Sequence, residues 1–227
     1  MTLWDSLLRT TGGALELSDT KSDFINIGFE WKNGRSKMKK KDETLSISVQ
    51  NHLGILQNVH QLNPTDARET LGVFQAAHGS EEAQVNKLKK KAKDWVGNIK
   101  QSALRRDEVR CAVDTTIGRT LQYPLQATAM STKQCKDIDK VFLAGALPKT
   151  GIVRTAPRDL VFAPDTILGF NFVDTDRKQL AEHVMKILDH GSEETLTGVL
   201  IRNLCKGTSI ECGRGGNVWD LKPSESP

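Results

Sequence analysis

Near Gly79 the apolar residues stop alternating and begin to recur every three or four positions, and that boundary governs what the chain can fold into. Alternation puts one apolar face on a strand, whereas a three-to-four spacing puts one on a helix. Before the boundary, the run 23–31 (DFINIGFEW) sets Ile25, Ile27, Phe29 and Trp31 on one side and Phe24, Asn26, Gly28 and Glu30 on the other. Asn33-Gly34 follows directly, the dipeptide that suits a two-residue hairpin turn. The run 44–50 (TLSISVQ) repeats the alternation, with the solvated hairpin arm 37–41 (KMKKK) between them. A third strand is predicted over 69–75 (ETLGVFQ), entered through the turn Asn63-Pro64-Thr65-Asp66.

After the boundary, Ser80 with Glu81 and Glu82 has the form of a helix N-cap with acids in the first turn. Val85, Leu88, Ala92, Trp95, Val96 and Ile99 then form a helical apolar stripe. Further helices are predicted over 107–121, stopping at Tyr123-Pro124, and over 131–146, opened by a Ser131/Gln134 capping box and ended before Pro148. Two more cover 176–189, with Asp176 as N-cap, and 193–205. The expected architecture is α+β, a small antiparallel strand-rich piece at 1–79 followed by a mainly helical bundle at 80–206. Residues 207–227, with four glycines and two prolines, are expected to be a disordered tail.

Composition narrows the function classes. Leu, Ile, Val and Phe make up 57 of 227 residues, enough for a core. The longest apolar runs, such as 141–144, are far short of the ~20 residues of a spanning helix, and the N-terminal stretch lacks the form of a secretory signal. Cys111, Cys135, Cys205 and Cys212 form no CxxC pair and have no histidine at a metal spacing, so they read as reduced thiols of an intracellular protein. The net charge of +4 names no partner, yet residues 87–106 alone carry +7. There Lys87, Lys89, Lys90, Lys91, Lys93, Lys100, Arg105 and Arg106 are opposed only by Asp94. Such a helix can cover the core with its lysine stems while its ammonium groups meet phosphates; from charge alone a solvated helix face is an equal alternative.

No constellation of a catalytic kind emerges. The carboxylate neighbours Asp137/Asp139, Asp174/Asp176 and Glu193/Glu194 fall on helices or at helix starts, where capping explains them better than metal binding. His183 and His190 have no acidic partner fixed by spacing, Cys205 and Cys212 have no oriented base, and GRGG at 213–216 lacks the flanking strand and helix of a phosphate loop.

Three stretches occur in order: WDSLLRTTGGALELSDTK at 4–21, ARETLGVF at 67–74, and the run 104–148 continued by 154–170. Together they resemble the part of a retrotransposon-encoded reverse transcriptase that follows its catalytic motifs, of the kind found in polyproteins of algal and fungal genomes. The resemblance implies the end of a palm over 1–79, with a primer-gripping strand pair centred on Leu71-Gly72, and a thumb or connection domain over 80–206. It also implies a leaving-group lysine at Lys21, close backbone approach to nucleic acid at Gly72, and a basic helix at 87–106 that tracks an RNA or DNA primer-template.

In that family the aspartates that hold magnesium lie upstream of the stretch matched by 4–21. Here the chain begins at Met1 almost where that aromatic-x-Asp-Asp turn would end, so no metal site and no RNA-directed DNA polymerase activity is expected of it alone. The expected function is that of a truncated reverse-transcriptase-like protein with at most sequence-nonspecific backbone binding. The alternative is a helical protein-interaction module, or a non-functional pseudogene product, that self-associates through the strand edge around Ile25, Ile27, Phe29 and Trp31. A hydrolase built on Asp137 or His183 is a remote third reading.

Overall fold

A computed structural model describes residues 22–39, 45–50, 55–211 and 213. Lys21 and the stretch 4–21, Cys212 and most of GRGG lie outside the described residues. The chain is α+β, with strands first and helices after, and it divides into two compact units at 1–84 and 85–227.

The described residues of the first unit form three small sheets. The longest strand, β5 (Leu56–Leu62), pairs in parallel with β1 (Asp23–Ile25) and antiparallel with β4 (Ile47–Gln50). Alternation did not single out β5, because its inward residues are Val59 and Gln61, one of them polar. The run 23–31 is two strands rather than one: β1 ends at Ile25, and β2 (Phe29–Lys32) pairs with β3 (Arg35–Met38). Asn33 and Gly34 adopt φ 54° and 73°, the left-handed pair that a tight hairpin requires. The expected strand over 69–75 is also two, β6 (Ala67–Thr70) and β7 (Val73–Ala76), joined at Leu71-Gly72 with φ 49° and 83°. Leucine at a left-handed position is uncommon, which is why alternation ran straight through the turn. Asp66 N donates to Asn63 O at 3.0 Å in the turn expected there.

Unit 2 holds the main core. Its helices are α1 (Glu82–Gln101, entering from the end of the first unit), α2 (Arg106–Ala112), α3 (Gly118–Gln122), α4 (Thr132–Lys149), α5 (Arg158–Phe162), α6 (Thr175–His190) and α7 (Leu196–Glu211). Val85, Leu88 and Ala92 of α1 join Val113, Ile117, Leu121, Ile138, Phe142, Ala146 and Phe172 in one buried cluster. Trp95 packs edge-on to Phe142 with ring centroids 6.1 Å apart, Phe142 meets Phe172 at 5.9 Å, and the Arg110 guanidinium lies 4.5 Å above the Phe172 ring.

Several boundaries differ from expectation for local reasons. Between α2 and α3 the helix opens into a π turn (Val113–Ile117), where the Thr115 and Thr116 hydroxyls donate to the Cys111 and Ala112 carbonyls. Helix α4 opens at the expected Ser131/Gln134 box but runs through Pro148 to Lys149. A proline in the last turn forfeits one backbone bond, and Thr150 N and Oγ1 both close on the Ala146 carbonyl. Asp174, not Asp176, caps α6, accepting from Asp176 N at 3.1 Å and Arg177 N at 3.2 Å. Helix α7 continues past Gly207 to Glu211, so 207–211 is regular structure and not tail.

Helices α1 and α4 meet where Gly145 faces Val96. A Cβ on Gly145 would lie 2.4 Å from Val96 Cγ1 and 2.6 Å from Cγ2, distances no packed pair sustains. Gly145→Ala is therefore expected to cost about 1–3 kcal/mol in chemical denaturation. Val96→Ala in the same chain should recover part of that loss, whereas strictly additive costs would separate the two residues energetically.

Candidate nucleic-acid interface

The basic segment is an amphipathic helix by its own spacing. With about 100° between successive residues, Val85, Leu88, Ala92, Val96 and Ile99 fall within one arc of α1, and each is buried. The lysines occupy the remainder as a fan. Lys89, Lys93 and Lys100 share one flank, Lys90 stands near the crest beside Asp94, and Lys87 and Lys91 form the other flank. Lys90, Lys91, Lys93 and Lys100 are exposed, and among the described residues they form no ion pair; Lys87 is half-buried and has a partner.

The other basic residues are committed to the fold. Lys89 reaches Asp137 of α4 at 3.4 Å, and Lys140 reaches the second oxygen of the same carboxylate at 3.4 Å. These cations, Lys140 foremost and then Lys89, hold the Asp137 carboxyl below the usual range. An ion pair this open to water contributes little to stability, but it marks which flank of α1 adjoins α4. Lys133 and Lys140, seven residues apart, lie on the exposed side of α4 and extend the positive surface from that flank. Arg105 is drawn into the start of α2, pairing with Glu108 at 3.4 Å and Asp107 at 3.6 Å while its backbone N donates to Glu108 Oε2. Arg106 lies against Gly151, whose added Cβ would come within 2.9 Å of the guanidinium carbon.

Gly72 belongs to the β6–β7 turn in the first unit. Its φ of 83° and exposed position are those of a hairpin glycine.

The carboxylates divide by burial. Asp137 faces out and Asp139 faces in, as their i, i+2 spacing requires. Asp139 accepts from Thr175 Oγ1 at 2.5 Å and Thr175 N at 3.3 Å, so a side chain on α4 caps the first turn of α6. Burial pushes its carboxyl up to about 7 against the pull of the Thr175 hydrogen bonds, with the Asp174 and Asp176 charges adding to the rise. The same surroundings, burial first, push the Cys135 thiol up to about 12, which keeps it protonated and unreactive. Sequence spacing could not foresee that Asp139, Asp174 and Asp176 lie near one another across two helices.

Their donor atoms do not suit magnesium. Asp174 Oδ1 is engaged by two backbone N–H groups, Asp139 is held by Thr175, and Asp176 accepts from Thr132 Oγ1 at 3.2 Å. Among the described residues no group of three or more His, Cys, Asp or Glu is placed to hold a metal ion. His183 Nε2 lies 3.1 Å from the Leu125 carbonyl and ties α6 to the segment after α3, a positioning contact. Cys111, Cys135 and Cys205 are free thiols. Among the described residues no helix is long and apolar enough to cross a membrane. No protein-family model, curated protein or solved structure matches the chain.

Asp139 gives stability an unusual pH dependence. Its folded value of about 7 lies above its ordinary 3.8, so between those limits the folded chain binds a proton that the unfolded chain releases. Stability contributed at this site is therefore lost as pH rises toward 7, on the order of 1 kcal/mol per pH unit. Asp139→Asn should flatten that slope and melt higher than the unsubstituted chain at pH 8, with the advantage shrinking toward pH 4. Parallel melting profiles of the two proteins from pH 4 to 8 would assign the slope elsewhere.

Proposed function

We propose that this chain binds nucleic acid through its sugar-phosphate backbone, without sequence preference and without catalysis, using the lysine fan of α1. The observation that carries the reading is that Lys90, Lys91, Lys93 and Lys100 are exposed on a helix whose opposite face is locked into the core, with no ion pair among the described residues. Cations already spent on carboxylates would have to break those pairs to meet a phosphate; these four do not. Lys133, exposed on α4 beside the Lys89 flank and without an ion pair among the described residues, favours contact from that side. Phosphate contacts position a protein on a strand and carry no base information, so affinity without specificity is the expected behaviour.

The resemblance of 4–21, 67–74 and 104–170 to the post-catalytic part of a retroelement reverse transcriptase supplies the kind of ligand, a primer-template duplex, and a retroelement lineage. The succession of a strand-rich unit and a helical unit is compatible with that lineage. Residue by residue, Lys90, Lys91, Lys93 and Lys100 are the first ligands in this reading, with Lys87 and Lys89 joining only by giving up their partners; Arg105 and Arg106 serve the fold, and Gly72 serves its turn.

Affinity for a primer-template duplex should fall steeply with salt, each neutralised phosphate adding ~0.9 to the slope of log affinity against log salt. Replacing Lys89, Lys90, Lys91 and Lys93 by Gln should lower that slope by about 2–4 and weaken binding alike for duplexes of unrelated sequence. Equal affinity at low and high salt, or an unchanged slope in the variant, would return the fan to a solvated helix face. Asp137→Asn, which removes the one carboxylate between Lys89 and Lys140, should tighten binding by a few fold in the same titration.

A further inference from the structure

The β2–β3 hairpin is a ribbon with two unlike sides. Directly opposed residues of an antiparallel pair project from the same side. Phe29 opposes Met38 and Trp31 opposes Ser36, which gathers those four on one side. Glu30 opposes Lys37 and Lys32 opposes Arg35 on the other. Lys39 continues that second side, where its N–H donates to the Gly28 carbonyl at 2.8 Å and its stem lies along Gly28, 3.5 Å from where a Cβ would stand. One side is therefore aromatic, and the other sets four cations against a single carboxylate. Both are uncommitted. Phe29 is 58% and Trp31 77% exposed, and among the described residues neither ring pairs with another ring or with a cation. Lys32, Arg35, Lys37 and Lys39 are exposed and form no ion pair among the described residues. Lysines on an open strand edge also discourage pairing with a further strand, but that role leaves two exposed aromatic rings unexplained.

The two sides meet at the turn. An open hollow there is lined by Lys32, Asn33, Arg35, Ser36 and Lys37. Three of these are cations of the charged side, and Ser36 stands directly opposite Trp31 on the aromatic side. Opposed residues lie about 4.5–5.5 Å apart, so a nucleotide whose phosphate enters the hollow brings its base within reach of the Trp31 ring. Phe29 is two residues further along the strand, roughly 7 Å away, which is about twice the 3.4 Å spacing of stacked bases and leaves room for a base between the two rings.

We infer that the β2–β3 hairpin binds unpaired nucleotides, stacking bases on Trp31 and Phe29 and holding their phosphates with Lys32, Arg35 and Lys37. A single strand offers what this ribbon can use, free base faces on a charged backbone, and it is narrow enough to pass from one side of the ribbon to the other. A duplex keeps its base faces inside its own stack. A lipid surface would cover the aromatic side as a plane and leave the cations on the reverse, away from its headgroups. The site shares its class of ligand with the lysine fan of α1 but none of its residues, so either can fail alone.

Anisotropy titrations of labelled oligo-dT, and of a duplex of equal length, with the full chain test it. Trp31→Ala should weaken oligo-dT binding by about five- to a hundredfold and leave duplex binding unchanged. Trp31→Phe should recover most of the loss, and Trp31→Leu should not, because leucine keeps apolar area but offers no aromatic face. Replacing Lys32, Arg35 and Lys37 by Gln should lower the slope of log affinity against log salt for oligo-dT by about 2, at ~0.7 for each phosphate released. The Trp31→Ala loss should recur when Lys89, Lys90, Lys91 and Lys93 are also Gln, where the fan adds no parallel binding; unchanged duplex affinity in that chain with the Trp31 effect intact would remove the fan and keep the hairpin. Unchanged oligo-dT affinity of Trp31→Ala in both chains, an equal loss on the duplex, or full activity of Trp31→Leu would each overturn the inference. So would Trp31-dependent binding to vesicles of phosphatidylserine and phosphatidylcholine without binding to oligo-dT.

Discussion

Val96 presses its two methyl groups into the space that a side chain at position 145 would fill, and the placement of α1 follows from that contact. Two helices approach this closely only where one offers bare backbone. Once they do, the side facing the partner is fixed for the whole of each helix. Trp95, next in sequence, then lies edge-on to Phe142 and donates its indole N–H to Thr116 Oγ1 at 2.9 Å, while Lys89 at the other end meets Asp137. Thr116 is available because the π turn lifts it, and Gly118 closes that turn where a Cβ would come within 2.9 Å of the Val113 carbonyl. Rotating α1 to hide its lysines would break all of these contacts, so the exposure of the fan follows from core packing.

The sequence revealed local chemistry better than long-range placement. Asn33-Gly34, the Ser131 box and the α1 stripe each carry their whole signal within a few residues, and each forms as expected. The failures share a physical character. Strand β5 draws its place from two neighbouring strands rather than from its own alternation, and Leu71 takes a backbone conformation that its side chain does not advertise. Asp174 displaces Asp176 as cap because its oxygen reaches two N–H groups, a matter of geometry that residue type alone leaves open. The lysines were legible as charge, but Lys89, Arg105 and Arg106 acquire partners only in the folded chain.

The two units differ in what holds them. The helical unit has one continuous apolar cluster crossing α1, the α2–α3 segment and α4. The strand unit has only Val59, Val73 and Pro64 as buried apolar side chains among its described residues, while Ile27, Phe29 and Trp31 stay largely exposed. Two-stranded hairpins gain little from their own hydrogen bonds in water, and buried apolar area is what usually stabilises them. Among the described residues, most of the buried apolar surface therefore lies in 85–211, where the lysine fan also lies.

The lysine fan answers a loose physical demand. A backbone contact draws its strength from ions released when phosphates are neutralised, so it needs cations with no other partner and tolerates loose geometry. Long lysine stems on α1 suit that demand. It requires neither a cleft nor an activated nucleophile. Among the described residues of the helical unit, the strongly raised carboxyl, Asp139, is spent on fastening α6 to α4, and the strongly raised thiol, Cys135, is buried in the core.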